Sequence, residues 1–130
     1  MREHILVVED HPMSRELLCD WLEAEGYNAT VVTDLQSSFA AIEEKPPQAV
    51  LLDINLGAED GLSLVSWMRG KPVLNGIPII AVTAAASAAD KERILSAGCA
   101  ACLSKPVEFK LLRKELNRHL HFPVTKGETP

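Results

Sequence analysis

Apolar residues along this chain fall into two rhythms. Five short runs, at 4–9, 28–33, 49–53, 77–83 and 100–103, have strand length. Those ending at Asp53 and Thr83 lack polar alternation, so they read as strands buried on both faces. Pro78 lies near the start of its run, where a lost backbone donor costs least. Between the runs, apolar positions recur at helical spacing. Pro12 suits the first turn of a helix carrying Leu17, Leu18, Trp21 and Leu22. Gly26 is placed to end it in a left-handed conformation. Asp34 is positioned to cap a second helix with Leu35, Phe39 and Ile42 on one face, stopped by Pro46-Pro47. An irregular loop is expected after Asp53. A third helix over 61–69 then carries Leu62, Leu64, Val65 and Met68. A fourth spans 88–97 and closes at Gly98. A fifth aligns Leu111, Leu112, Leu116 and Leu120. The stretch 122–130 is polar and frayed in character.

Strands alternating with helices predict an α/β fold: a doubly wound, five-stranded parallel sheet covered on both faces, flavodoxin-like (βα)5, strand order 2-1-3-4-5. Residues 1–121 are expected to form one domain, with 122–130 a flexible tail or the start of a linker. Such sheets bind ligands at their carboxyl edge, where strand order reverses. If the first and third strands are neighbours, Glu9, Asp10 and Asp53 converge there. Taken alone, Asp53 also reads as a helix cap.

Composition narrows the function. Net charge is −5, with no block of Lys or Arg, so no nucleic-acid surface is expected. No apolar run approaches the roughly 20 residues that span a bilayer. Met1-Arg2-Glu3-His4 runs straight into a strand without a signal-peptide pattern. The expectation is therefore cytoplasmic, with reduced thiols and no membrane partner. Cys99 and Cys102 form a C-x-x-C spacing, but no second pair and no nearby His complete a metal site. Their small apolar neighbours suggest buried, inert thiols.

Three carboxylates in one small pocket repel each other unless a proton or cation intervenes. A hard divalent ion such as Mg²⁺, or Mn²⁺, suits them, because it prefers oxygen ligands and bridges carboxylates to phosphate. Thr83 ends the fourth strand with a hydroxyl, and Lys105 follows the fifth with an ammonium. Together these groups can accept a phosphoryl group. Asp53 attacks phosphorus, Lys105 and the metal balance charge, and Thr83 donates a hydrogen bond. A cis Lys105–Pro106 peptide is expected to direct the lysine.

Five motifs together carry a family resemblance: Val7-Val8-Glu9-Asp10, Leu51-Leu52-Asp53, Asp60-Gly61, Val82-Thr83-Ala84 and Ser104-Lys105-Pro106. From Ile5 to about Leu120 the chain resembles bacterial two-component response-regulator receiver domains, most nearly single-domain receivers of the cell-cycle type and those of hybrid kinases. The resemblance implies that Asp53 is the phosphoacceptor, with Thr83 and Lys105 binding the phosphoryl group. It implies Mg²⁺ held by the side chains of Asp10 and Asp53 and the backbone carbonyl of Asn55, with Glu9 acting through water. Two departures stand out. Gly57 replaces a frequent proline, so a more mobile loop is expected. Cys102 replaces the usual Tyr or Phe, so switching is expected to rely on residues 83–86 and the fourth helix. Ala85, two residues after Thr83, neither blocks nor orients an attacking water, which predicts a phosphoryl lifetime of middling length.

The leading reading is a phosphorylation-switched signalling module, charged by a histidine kinase or a His-containing phosphotransfer protein. It is not an enzyme beyond its own phosphorylation and dephosphorylation. The chain stops after the fifth helix, so output is expected through protein contacts on the fourth helix, fifth strand and fifth helix. Ala88, Ala89, Ala97 and Ala101 make that face small. The chain is alternatively a fragment of a larger regulator. A phosphorylation-independent adaptor is the second reading. An aspartyl-phosphate phosphohydrolase is the third, disfavoured because Asn55 stands where such enzymes carry a second acid.

Overall fold

The computed structural model describes residues 3–84 and 87–120. Ala85 and the stretch 122–130 lie outside them, as does Ala86 of the expected switching loop. The elements, in order, are β1 (His4–Val8), α1 (Pro12–Ala24), β2 (Asn28–Val32), α2 (Leu35–Glu44), β3 (Ala49–Asp53), β4 (Asn55–Leu56), β5 (Glu59–Asp60), α3 (Leu62–Arg69), β6 (Ile79–Thr83), α4 (Ala88–Ala97), β7 (Ala101–Ser104) and α5 (Phe109–Leu120).

Five strands form one parallel sheet in the order β2-β1-β3-β6-β7, the doubly wound order expected from the sequence. Strand composition follows position in the sheet. β3 and β6 are buried at every residue, whereas the edge strand β2 is half-exposed. Alternate residues feed two cores. Ile5, Val7, Leu51 and Ile80 face Leu18 and Leu22 of α1 and Leu112, Leu116 and Leu120 of α5. Leu6, Val8, Val50, Leu52 and Ile79 face Ile42 of α2, Leu64, Val65 and Met68 of α3 and Ile94 of α4.

Local signals act as expected. Asp34 accepts from the Ser37 backbone N–H at 2.7 Å. Gly26 (φ 97°) and Gly98 (φ 122°) take the positive φ that ends α1 and α4. The Lys105–Pro106 bond is cis.

Four details differ. The stretch after Asp53 is an antiparallel hairpin, β4 with β5, rather than an irregular loop. Leu17 and Leu111 are 55% and 45% exposed. Each stands next in sequence to a buried leucine, so a helix turns it about 100° off the buried face. Ala101 is buried in the core of α1 and α5 and adds nothing to an outer face; Ala88 and Ala89 are exposed. Cys99 is buried, but Cys102 is only partly so.

Candidate functional site

Parallel pairing of β1 with β3 sets Val8 beside Leu52. The next residues, Glu9 and Asp53, therefore leave the sheet side by side. Glu9, Asp10 and Asp53 each offer a carboxylate oxygen, and these lie within 4.8 Å of one another. Glu9 and Asp53 are 1% and 6% exposed, so their charges are withdrawn from water. Asp10 is more open.

Lys105 enters from the β7–α5 turn. Its ammonium donates to Glu9 Oε1 at 2.9 Å and to Asp53 Oδ2 at 3.0 Å. One cation thus serves two buried acids, and among the described residues the third, Asp10, has no ion pair of its own. Its position is tied to β6, because the Lys105 backbone N–H donates to the Thr83 carbonyl at 3.0 Å. The other Asp53 oxygen, Oδ1, accepts from the Asn55 backbone N–H at 3.0 Å. The Asn55 side-chain amide reaches Thr83 Oγ1 at 3.4 Å, and Thr83 is fully buried. The backbone N–H of His11 donates to Glu9 Oε2 at 3.2 Å.

Charge at the site is unbalanced. Burial raises the Asp53 pKa above the ordinary carboxylate range, and the adjoining Glu9 carboxylate adds to this against the opposing pull of Lys105. For Lys105, burial favours the neutral amine, but its bonds to Glu9 and Asp53 outweigh that and raise its pKa. The two shifts agree: the lysine gains from two acids, while Asp53 still faces one. Three oxygen donors of like charge beside one ammonium suit a hard divalent cation, which takes carboxylate ligands and retains water.

The structure therefore gathers Glu9, Asp10, Asp53, Asn55, Thr83 and Lys105 at one sheet edge. Cys102 stands apart, packed on the side of the sheet covered by α4, with Lys91 and Asp90 nearby. Burial pushes the Cys99 thiol up to about 12, and burial also raises that of Cys102, so both are shifted away from the thiolate form. Pro106 lines a cavity of about 360 Å³ beside Lys105 and Glu9, with Leu17, Leu18, Val107 and Phe109.

Two further residues support the site, Arg15, which the sequence does not point to, and Gly61, which lies in the Asp60-Gly61 motif. Arg15 Nη1 donates to the Asp10 carbonyl at 2.9 Å, fixing the turn that carries that acid. Gly61 is obligatory: a Cβ there would stand 2.7 Å from the Asp53 carbonyl oxygen. Arg15 has no sequence signal, since its partner is a backbone oxygen. Gly61 was visible as part of a motif, but the close approach behind it was not.

Comparison with known proteins agrees with this geometry. The profile of the response regulator receiver domain matches residues 5–117. The polar-differentiation response regulator DivK of Brucella ovis is 36% identical over 107 residues, covering 82% of this chain and 87% of DivK. The receiver domain of a sensor histidine kinase from Pseudomonas aeruginosa, solved with a magnesium ion coordinated in its active site cleft, superimposes with a TM-score of 0.83. It is 33% identical, and the match covers 92% of this chain and 98% of that one. The receiver domain of a signal transduction histidine kinase from Syntrophus aciditrophicus gives 0.82 at 30% identity, over 91% and 89% of the two chains. This chain belongs to the response regulator receiver family of two-component systems.

Proposed function

We propose that Asp53 is the phosphoacceptor of a phosphorylation-switched receiver, charged by a histidine kinase or a His-containing phosphotransfer protein. The observation that carries this is the setting of the Asp53 carboxylate. It is 6% exposed, held at one oxygen by the Asn55 N–H and at the other by Lys105, and lies beside two further acids. That arrangement fixes an oxygen nucleophile next to a cation and a hydroxyl. Asp53 forms a bond to phosphorus as the donor's N–P bond breaks and its imidazole leaves with the electron pair. Lys105 follows the growing charge on the phosphoryl oxygens, and Thr83 supplies a hydroxyl donor.

Asp10 and Asp53 would hold Mg²⁺ (or Mn²⁺) through their carboxylates and Asn55 through its backbone carbonyl, with Glu9 acting through water. The magnesium in the Pseudomonas relative supports this choice. Bound there, the ion would neutralise phosphoryl charge. Signal output runs by protein contact through α4, β7 and α5. With Cys102 in place of a ring, switching rests on Thr83, the residues after it and α4, and Ala85 tunes the lifetime. Residues 1–121 form the receiver unit and 122–130 a tail or linker start. A cytoplasmic location agrees with three free cysteines. Among the described residues, no helix is long and apolar enough to cross a membrane.

Intact-protein mass after incubation with Mg²⁺ and a small acyl phosphate tests the reading. A phosphoryl increment in the native chain that is lost in Asp53→Asn is expected. No increment in either folded protein would favour the phosphorylation-independent adaptor. Turnover of a small phosphate ester would favour the hydrolase.

A further inference from the structure

The hairpin between Asp53 and α3 approaches the acid cluster at two points. Asn55, its first residue, binds Asp53 Oδ1 through its N–H and Thr83 through its side chain. At its turn, a Cβ on Gly57 would lie 3.6 Å from Asp10 Oδ2. Gly57 has φ +59°, which proline, fixed near −65°, cannot adopt. The strands are only two residues each, and so short a hairpin has little stability of its own.

Something else must hold it. Ile54 and Leu56 anchor one side in the core, each 3% exposed. The Gly61 N–H closes the base on the Ile54 carbonyl at 2.7 Å. The far strand is fastened by Glu59, whose Oε1 accepts from the Leu35 backbone N–H at 3.1 Å. Leu35 opens α2, so its N–H has no acceptor within the helix. Asp34 caps Ser37 instead, leaving Leu35 to Glu59. The positive end of the helix also favours the carboxylate.

We propose that Glu59 is a positioning residue for the metal-binding edge. Docked on α2, it holds the hairpin so that Asn55 meets Asp53 and Gly57 closes over Asp10. The inference rests on the phosphoacceptor reading above. Glu59 belongs to no part of the acid cluster and acts through the hairpin. Were it only a surface cap, its removal would cost a little stability and leave metal affinity untouched.

Calorimetric Mg²⁺ titration of the full chain, with thermal unfolding alongside, decides between these. Glu59→Ala is expected to weaken Mg²⁺ binding about threefold to tenfold, less than loss of a direct ligand partner. The phosphorylated fraction at saturating Mg²⁺ should persist. Glu59→Gln keeps an acceptor oxygen without the charge and should restore most of the affinity. Unchanged affinity in Glu59→Ala would overturn the proposal. So would equal losses in both variants, because the effect would then be one of charge alone. Failure of the phosphoacceptor reading shows separately, as a native chain that binds Mg²⁺ but gains no phosphoryl mass.

Discussion

Asp53 is held in the fold against the preference of its own charge. Burial and the facing Glu9 both disfavour its ionised form, so its pKa rises. A carboxyl whose folded pKa is raised binds its proton more tightly in the folded chain, and its ionisation at neutral pH costs stability. Asp53→Asn removes that charge while keeping an oxygen for the Asn55 N–H. In metal-free buffer it should raise the thermal midpoint by a few degrees, on the order of 1 kcal/mol. A midpoint lowered by Asp53→Asn would mean that the Lys105 contact outweighs burial. Asp53, Thr83 and Lys105 were legible in the sequence because each ends or follows an apolar run, and parallel strands bring such ends together. Arg15 and Glu59 were not. Each meets a backbone atom, the Asp10 carbonyl and the Leu35 N–H, and such partners leave no mark on the sequence.

Among the elements, α4 has the most telling attachment. Arg69, the last residue of α3, donates from Nε and Nη2 to the Gly98 carbonyl at 3.1 and 2.8 Å, and from Nη1 to the Asn75 carbonyl at 2.7 Å. One guanidinium thus satisfies the end of α4 and the loop before β6, at a helix terminus where cations are favoured. Arg69→Ala should lower stability by about 1–2 kcal/mol in denaturant unfolding. It should also speed amide exchange over the last turn of α4, with the N-terminal turn little affected. Unaltered exchange there would mean that the helix end is held by its core contacts alone. Gly98→Ala should destabilise as well, because φ is +122° and a Cβ would meet Arg69 Cγ at 3.0 Å. Helix boundaries were legible: α4 has the expected span, and Gly26 and Gly98 stop their helices. The β4–β5 hairpin was not legible, since two-residue strands give no periodicity. The outward turn of Leu17 and Leu111 was also hidden, because neighbouring leucines look alike until the helix has a side to bury.

Among the described residues, the five-stranded sheet lies between two cores, and each core carries one tryptophan at its margin. Trp21 stacks on Phe109 at 5.0 Å with Arg113 above it, on the side of α1 and α5. Trp67 meets Phe39 at 4.8 Å with Lys71 above it, on the side of α2 and α3. Because β1, β3 and β6 supply side chains to both cores, neither layer can melt while the other stays packed. Single-tryptophan forms, Trp21→Phe and Trp67→Phe, should show coincident denaturant transitions by fluorescence and by far-ultraviolet circular dichroism. Separate fluorescence and dichroism transitions in either form would reveal layers that unfold independently.

The sequence by itself determined the alternation of strands and helices, the caps and glycine stops, and which polar residues stand at the ends of the strands. Those are local properties, written in apolar period and side-chain type. Tertiary structure decided what depends on neighbours far along the chain. It gave Lys105 to two acids at once, since only the pairing of β1, β3, β6 and β7 brings residues 9, 53 and 105 together. It shaped the stretch after Asp53 into a hairpin, since the core beneath and the N-terminus of α2 beside it supply the anchors. It also turned Ala101 inward and left Cys102 half-covered. A strand sends successive side chains to opposite faces, and only the packed layers determine how fully each face is covered.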